Sequence, residues 1–207
     1  MQIEMVMTGP LQENCYVLMD EATHDAVVVD PGDDSPRIIE AIERMGAQPI
    51  AIVNTHCHFD HVGAVSALQQ QYRIPFYIHP NDKEMLAHAA FSAANFGLSI
   101  EQPRVDRFIH EGERFQIGGS ELSVRYTPGH CPGHIILVGD GFALVGDVVF
   151  AGSVGRTDFP GTSWDVLAQS IKRELLTLPD YTILFPGHGP STTVGRERST
   201  NPFLQDL

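Results

Sequence analysis

Residues 55–61 concentrate side chains that bind metal ions, because Thr55-His-Cys-His-Phe-Asp-His61 contains three histidines and one aspartate. Neutral imidazole nitrogens and carboxylate oxygens are the ligands that zinc and similar divalent cations take. On an extended segment His56 and His58 point to the same side, since side chains alternate along a strand. If the chain then turns into a helix, Asp60 and His61 face a second point nearby. The stretch therefore predicts two adjacent metal sites.

Three further ligand-type residues each follow a segment of strand-like sequence. His130 follows a Pro-Gly turn, Asp147 follows an apolar run that ends in glycine, and His188 lies in Pro-Gly-His-Gly-Pro after the last strand-like run. Each of them alone is an ordinary turn residue, but their joint occurrence with the first cluster indicates a shared site. We predict that one metal is bound by His56, His58 and His130, that a second is bound by Asp60, His61 and His188, and that Asp147 bridges the two.

This ligand count leaves each metal an open position for water, which is the mark of a catalytic rather than a structural site. Water held between two divalent ions becomes a nucleophile near neutral pH, and the ions polarise a carbonyl and stabilise its oxyanion. The expected activity is hydrolysis without a serine or cysteine nucleophile. Cys57 and Cys131 adjoin the candidate ligands, and we interpret them as small residues packed behind the metal loops. A thiolate ligand or a redox switch is the alternative.

Charge and composition limit the partners of the chain. Its 207 residues are 43% hydrophobic and 19% charged, which suits one sizeable globular domain, and we expect a single domain over residues 1–207. The formal net charge of −13 argues against nucleic acid or an anionic membrane as the main partner. A small anionic substrate remains compatible with it, because metal ions would dominate the local field. We expect a monomer or a weak homodimer.

The N-terminal residues have neither a basic region nor a long apolar stretch, so we expect no secretory signal. Apolar runs stay well short of the ~20 residues that a membrane-spanning helix needs. The three cysteines form no Cys-x-x-Cys motif, as is typical of a protein kept in a reducing compartment. These features together predict a cytoplasmic protein.

Hydrophobic periodicity and turn residues predict the elements that must position the candidate ligands. Strands are predicted within residues 1–30 and 49–54, at 76–78, and in several segments from 107 to 145. The predicted helices are one capped by Ser35 and stopped by Gly46, one over Val62–Tyr72, one capped by Asn81 that runs to about Gly97, and a last long one capped by Ser163. A final strand is predicted over Tyr181–Phe185.

A strand-rich beginning followed by strand–helix alternation occurs twice along the chain. This order predicts an α+β fold in which two mixed β-sheets pack together with helices outside, an αβ/βα sandwich of four layers. The candidate ligands would then lie on loops along one edge of the sandwich.

The ligand segments resemble those of the metallo-β-lactamase superfamily, and the resemblance covers nearly the whole chain. The chain is similar in particular to the short glyoxalase II-like hydrolases (hydroxyacylglutathione hydrolase-like), through Asp30-Pro-Gly32, Thr127–His134, Gly155-Arg-Thr-Asp-Phe-Pro160 and the tail Asn201–Asp206. The resemblance implies two divalent ions, usually zinc with iron or manganese possible. It implies hydrolysis of a small-molecule thioester such as S-lactoylglutathione. It also implies that Asp60 holds the second metal and orients the attacking hydroxide.

The resemblance does not extend to the C-terminal helical domain whose basic residues hold glutathione in full-length glyoxalase II enzymes. We expect no such domain in residues 1–207. Arg156 could reach an anionic tail of the substrate, or it could form a surface salt bridge. We expect His134 to support the site without binding metal, because seven other residues already supply the ligands.

Other activities are also compatible with these motifs. Residues 55–61 and 155–159 resemble persulfide dioxygenases as well, in which a single iron would use His56, His130 and Asp147. A lactonase or β-lactamase-type hydrolase is a weaker alternative, since nothing in the sequence specifies a cyclic substrate. Electron-transfer relatives with a carboxylate in place of the second histidine are excluded by His58. A non-enzymatic member of the fold would be expected to have lost ligands.

Overall fold

Two six-stranded sheets form the centre of the structure, which is a computed structural model that describes residues 1–159 and 161–207. Pro160, the last residue of the 155–160 motif, lies outside the described residues. The described strands are β1 (Gln2–Thr8), β2 (Glu13–Met19), β3 (Asp25–Val29), β4 (Gln48–Val53), β5 (Phe76–Ile78), β6 (Arg107–Phe108), β7 (Arg114–Ile117), β8 (Ser120–Tyr126), β9 (Ile135–Val138), β10 (Phe142–Gly146), β11 (Val149–Phe150), β12 (Ser153–Val154), β13 (Ile183–Pro186) and β14 (Thr192–Thr193).

Both sheets are mixed, as the sequence predicts. The first has the order β1-β2-β3-β4-β5-β6, with antiparallel pairing up to β3 and parallel pairing from β3 to β6. The second has the order β14-β13-β10-β9-β8-β7, in which only the β10–β13 pair is parallel. Strands β11 and β12 form a separate short hairpin. The carboxyl ends of parallel strands open at a common edge, where loops can converge.

Helices cover the outer faces of the two sheets. The described helices are α1 (Ser35–Met45), α2 (Phe59–Val62), α3 (Val65–Tyr72), α4 (Lys83–Asn95), α5 (Trp164–Ser170) and α6 (Val194–Thr200), together with a 3₁₀ turn at Pro80–Asp82 and a π-helical turn at Ile171–Leu175.

Three buried hydrophobic clusters separate four layers and confirm the predicted sandwich. The first lies between α1, α3, α4 and the first sheet, the second lies between the sheets, and the third lies between the second sheet and α5 and α6. Strand β2 is buried on both faces: Val17 packs toward the helices and Leu18 toward the second sheet. Alternate side chains of one strand therefore serve two separate cores.

Several predicted helix boundaries are wrong. Helix α1 begins at Ser35 itself, and the preceding Asp34 makes no side-chain cap. The predicted helix over Val62–Tyr72 is interrupted, because Gly63 packs so closely on Gly32 that an added Cβ would lie 2.3 Å from the Gly32 carbonyl oxygen. The Ala64 amide accordingly donates to the Pro31 carbonyl (3.0 Å), outside the helical pattern.

The later elements differ from the predictions as well. Asn81 does not cap α4, since Pro80–Asp82 form a 3₁₀ turn that His79 caps by accepting from the Asn81 amide. Ser163 does cap α5, but the helix passes into a π-helical turn after Ser170. The last strand before His188 is Ile183–Pro186, and β14 and α6 follow it. Neither of these two short elements is predicted from the sequence.

Within residues 1–159 and 161–207, the structure contains no helix with the length and hydropathy of a membrane span.

Candidate metal centre

The switch from strand to helix predicted around residues 55–61 is present. Strand β4 ends at Val53, His56 and His58 lie in the following loop, and Asp60 and His61 lie on the short helix α2. His58 has extended backbone angles (φ −63°, ψ 150°) and immediately precedes the helix. The local sequence therefore sends the two pairs of side chains in different directions.

The first predicted set of ligands forms a compact group of three nitrogens, which we call the first triplet (His56, His58 and His130). His58 Nδ1 lies 3.0 Å from His56 Nε2 and 3.0 Å from His130 Nε2. His130 comes from the loop between β8 and β9 in the second sheet. The two sheets thus contribute jointly to one group of ligand atoms, all within 4.8 Å of one another.

The second predicted set also converges, and we call it the second triplet (Asp60, His61 and His188). Asp60 Oδ2 lies 3.3 Å from His188 Nε2, and one ligand atom from each of the three residues lies within 4.8 Å of the others. His188 follows β13 of the second sheet. The ligand atoms of Asp30, His56 and His61 also lie within 4.8 Å of one another. Both Asp30 carboxylate oxygens, however, already accept hydrogen bonds from the amide and the hydroxyl of Thr55.

The Asp147 carboxylate lies between the two triplets. Its Oδ1 is 3.6 Å from His61 Nε2, and its Oδ2 is 3.6 Å from His130 Nε2 and 3.8 Å from His188 Nε2. Asp147 follows β10. Because β10 pairs in parallel with β13, the carboxyl ends of these two strands lie side by side. All seven predicted ligand residues are therefore gathered at one edge of the sandwich.

The polar atoms at the centre fit divalent cations better than they fit each other. His61 Nε2 and Asp147 Oδ1 are buried and have no hydrogen-bond partner among the described residues. At 3.6 Å they are too far apart for a good hydrogen bond, and a buried group without a partner is costly. A cation bound between them would satisfy both atoms. The donor set of five imidazoles and two carboxylates is typical of zinc, iron or manganese.

Polar contacts at Nδ1 of three rings, hydrogen bonds for His130 and His56 and a close carboxylate for His61, leave Nε2 directed at the metal centre. His130 Nδ1 donates to the Arg156 carbonyl oxygen (2.8 Å), and His61 Nδ1 lies 3.2 Å from Asp30 Oδ2. His56 Nδ1 lies 3.1 Å from Thr55 Oγ1, whose hydroxyl donates to the same Asp30 oxygen. Partners of this kind hold the ring in one tautomer and one orientation.

The electrostatic environment differs between the two triplets. Burial, reinforced by His61, holds the pKa of His56 well below its usual value, and burial with His130 lowers the pKa of His58 to about 4. Both rings are therefore neutral near pH 7, the form that metals bind. Burial also opposes the charge on His61, but Asp147 and Asp30 outweigh burial and raise the His61 pKa.

His134 uses both ring nitrogens within the protein, as expected for a supporting residue. Its Nδ1 donates to Thr127 Oγ1 (3.0 Å), and its Nε2 accepts from the Asp147 amide (3.1 Å). The ring stacks on His56 with 4.9 Å between centroids. Burial lowers the His134 pKa, which keeps Nε2 available as an acceptor. His134 therefore holds the backbone of Asp147 in place.

The cysteines are free, buried thiols within the described residues, including Cys57 and Cys131 behind the histidine loops. Cys131 Sγ donates to Asp82 Oδ2 at 3.4 Å. Burial raises the pKa of both thiols, so neither is a thiolate near neutral pH. This environment favours the packing interpretation over that of a thiolate ligand.

Arg156 is largely exposed and forms a surface ion pair, one of the two roles that the sequence predicts for it. Its Nε and Nη2 donate to the two carboxylate oxygens of Asp158 at 2.9 and 2.8 Å, and its guanidinium lies 4.3 Å from the Phe159 ring centroid. Phe159 in turn lies 6.3 Å from the His58 ring. Arg156 also lines an open groove of about 1090 Å³ with Trp164 and Phe203.

Sequence reasoning missed several residues that hold the candidate ligands. The sequence marks Asp30 only as part of the Asp30-Pro-Gly32 motif and predicts no contact for it, although its buried carboxylate accepts from the Thr55 amide at 2.7 Å. Asn14 holds the loop of His188, because its Nδ2 donates to the carbonyl oxygens of Pro186 (3.0 Å) and Gly189 (2.8 Å). The signal that could have revealed Asn14 is a polar residue in an apolar strand.

Nearly the whole chain is similar to a named hydrolase and to two proteins of known structure. Hydroxyacylglutathione hydrolase GloC of Haemophilus influenzae is 36% identical over 213 residues, covering 99% of this chain and 98% of that protein. The crystal structure of BLEG-1 B3 metallo-beta-lactamase has a TM-score of 0.91 and 37% identity, and covers 98% of this chain and 99% of its own. The crystal structure of TTHA1623 in a di-iron-bound form has a TM-score of 0.90 and 42% identity, and the match covers 97% of this chain and 100% of that chain.

The model of the Metallo-beta-lactamase superfamily matches residues 8–188. This range begins at the end of β1 and ends at His188, so it contains both triplets and the aspartate between them. The agreement of family model, layered architecture and site therefore leads to one conclusion: the chain belongs to the metallo-beta-lactamase superfamily.

Proposed function

We propose that this metal-dependent hydrolase of the metallo-beta-lactamase superfamily cleaves thioesters of the hydroxyacylglutathione type, such as S-lactoylglutathione. The observation that carries the proposal is the presence of two triplets with Asp147 between them, 3.6 Å from a histidine of each. The whole-length similarity to hydroxyacylglutathione hydrolase GloC supports a thioester as the substrate.

The first triplet would hold one ion, the second triplet would hold the other, and Asp147 would bridge them. Two bound ions would supply Lewis acidity, which makes a water nucleophilic near pH 7 and polarises the thioester carbonyl. Zinc is the ion we expect, and the similarity to a protein crystallised in a di-iron-bound form makes iron the main alternative.

Residues of the chain itself orient the reactants. His188 and His61 lower the pKa of Asp60 despite the opposing effect of burial, so its carboxylate is ionised near pH 7. One carboxylate oxygen faces His188 Nε2 at 3.3 Å, which leaves the second oxygen to accept a hydrogen bond from the attacking water. His134 keeps the Asp147 backbone fixed during the reaction, because its Nε2 holds the Asp147 amide.

The test measures metal content and thioesterase activity on protein purified without chelators or added metal. We expect about two ions per chain, as in other dinuclear hydrolases, and release of thiol from S-lactoylglutathione. Asp147→Ala should abolish turnover, whereas the matched control Asp140→Ala, at an exposed turn between β9 and β10, should keep it. Unchanged turnover in Asp147→Ala would contradict the bridging role.

The same preparation tests the competing activities. One iron per chain with oxygen consumption on a persulfide substrate would refute the thioesterase and favour the dioxygenase, which needs only His56, His130 and Asp147. Faster hydrolysis of a β-lactam or a lactone than of the thioester would favour a cyclic substrate instead.

A further inference from the structure

Asp82 is a completely buried aspartate behind the first triplet, at the end of the 3₁₀ turn that follows β5. Its Oδ2 accepts from the Cys57 amide (2.8 Å) and from Cys131 Sγ (3.4 Å), and its Oδ1 accepts from the Gly133 amide (2.7 Å). A buried carboxylate is costly unless it is hydrogen-bonded, and these three donors compensate for much of that cost. The carboxylate thus joins two separate loops.

Both loops carry ligands of the first triplet. Cys57 lies between His56 and His58, so the amide that donates to Asp82 belongs to the backbone linking those two ligands. Cys131 directly follows His130 in the loop from the second sheet. The first triplet requires these loops to keep a fixed distance, because His58 Nδ1 and His130 Nε2 come from loops of different sheets and lie 3.0 Å apart.

The turn that carries Asp82 is itself anchored to the second sheet. Asn81 Nδ2 donates to the Tyr126 hydroxyl (2.9 Å), and that hydroxyl donates to the Pro132 carbonyl oxygen (2.6 Å). The contact with the neighbouring loop is close, since a Cβ added to Gly133 would lie 2.4 Å from the Asp82 backbone nitrogen. Asp82 therefore has little freedom to move away from either loop.

A different carboxylate, that of Asp30, contacts the second triplet. Asp30 lies 3.2 Å from His61 Nδ1 and accepts from the backbone and hydroxyl of Thr55. Among the described residues, Asp82 makes no hydrogen bond to Asp60, His61 or His188. Asp30 thus contacts His61 of the second triplet and, through Thr55, His56 of the first, whereas the hydrogen bonds of Asp82 reach only the two loops that carry the first triplet.

We propose that Asp82 is a positioning residue for the first triplet, which sets the spacing of the His56–His58 loop and the His130 loop so that their nitrogens bind one ion. The inference rests on the metal roles under the proposed function. It does not depend on the identity of the substrate. Residues that orient metal ligands from behind typically contribute about 10- to 100-fold to metal affinity or activity.

The experiment measures zinc affinity of the metal-free protein by competition with a chromophoric chelator, in two backgrounds. Asp60→Ala disables the second triplet, and His58→Ala disables the first. Asp82→Asn keeps one acceptor oxygen but replaces the other with an amide group that donates, so one backbone hydrogen bond is lost. We expect it to lower zinc affinity about 10- to 100-fold in the Asp60→Ala background and to leave it unchanged in the His58→Ala background.

Two further variants keep the test decisive. Gly133→Ala leaves the carboxylate intact but pushes the His130 loop away from Asp82, so it should cause the same selective loss even if Asp82→Asn folds poorly. Asp20→Asn is the matched control, because Asp20 is also a buried aspartate that accepts from backbone amides (Ala22 and Thr23, each at 3.0 Å). It lies at the end of β2 opposite the site, and it should not change zinc affinity in either background.

Equal loss of zinc affinity in both backgrounds would overturn the proposal, because a merely structural role affects both sites. Unchanged affinity in both would overturn it as well. If Asp60→Ala or His58→Ala still bound two ions, the metal assignment and this proposal would fail together. A lack of thioesterase activity would refute the proposed function alone, since zinc affinity is measured without substrate.

Discussion

Gly32 offers a sharp test of how the second triplet is positioned. It lies in the loop after β3, and a Cβ added there would be 1.8 Å from the Asp60 carbonyl oxygen and 2.6 Å from Glu13 Oε2. Protein Cβ atoms essentially never come within 3.0 Å of such atoms. Gly32→Ala should therefore displace the backbone of Asp60 by about 1.2 Å, the difference between 3.0 Å and 1.8 Å.

The displacement cannot be absorbed cheaply, because the same loop is fixed from the other side. The Ala64 amide donates to the Pro31 carbonyl (3.0 Å), and Gly63 packs against the Gly32 carbonyl. Overpacking of this kind typically costs about 1–3 kcal/mol of stability. A shift of about 1 Å in a group that orients the reactants can lower the rate about 100-fold.

We therefore expect Gly32→Ala to fold with reduced stability, to lose one of the two proposed ions and to lose about 100-fold in turnover. The assays are elemental analysis, urea unfolding and thiol release from S-lactoylglutathione. Gly119→Ala is the matched control, because its added methyl group would meet Asp20 Oδ2 at an ordinary 3.8 Å. Full metal content and full activity in Gly32→Ala would refute the argument that the 1.8 Å contact fixes Asp60.

Three other perturbations give separate tests. Asp147→Ala should lower total metal content as well as turnover, since its two oxygens face both triplets; a variant that retained both ions would contradict this. Asp60→Ala should retain one ion, and two retained ions in elemental analysis would exclude Asp60 as a ligand. Hydrogen bonds, first of all from Ser120, lower the pKa of Asp20 from 3.8 to about 2, so ionised Asp20 stabilises the folded state above pH 3.8. The stability difference between the unmodified protein and Asp20→Asn, measured by urea unfolding without metal, should therefore shrink as the pH falls from about 4 to 2, and a constant difference would contradict the shift.

The sequence by itself determined the ligand types and their local directions. The spacing in Thr55–His61 places His56 and His58 in a loop after a strand and Asp60 and His61 on a helix, because both periods are local backbone properties. Turn residues and apolar runs likewise indicated that His130, Asp147 and His188 end strands. The repeated order of elements was sufficient for the four-layer sandwich.

The tertiary structure decided which residues hold those ligands in place. Asp30 and Asp82 act on backbone amides about 25 residues or more away in the chain, and no local pattern marks such pairs. The helix predicted over Val62–Tyr72 is interrupted where Gly32 packs against Gly63, and this contact between remote residues is likewise not marked by any local pattern. Side-chain types and local periodicity can be read from the sequence alone, whereas the distances between remote loops are set only when the two sheets pack together.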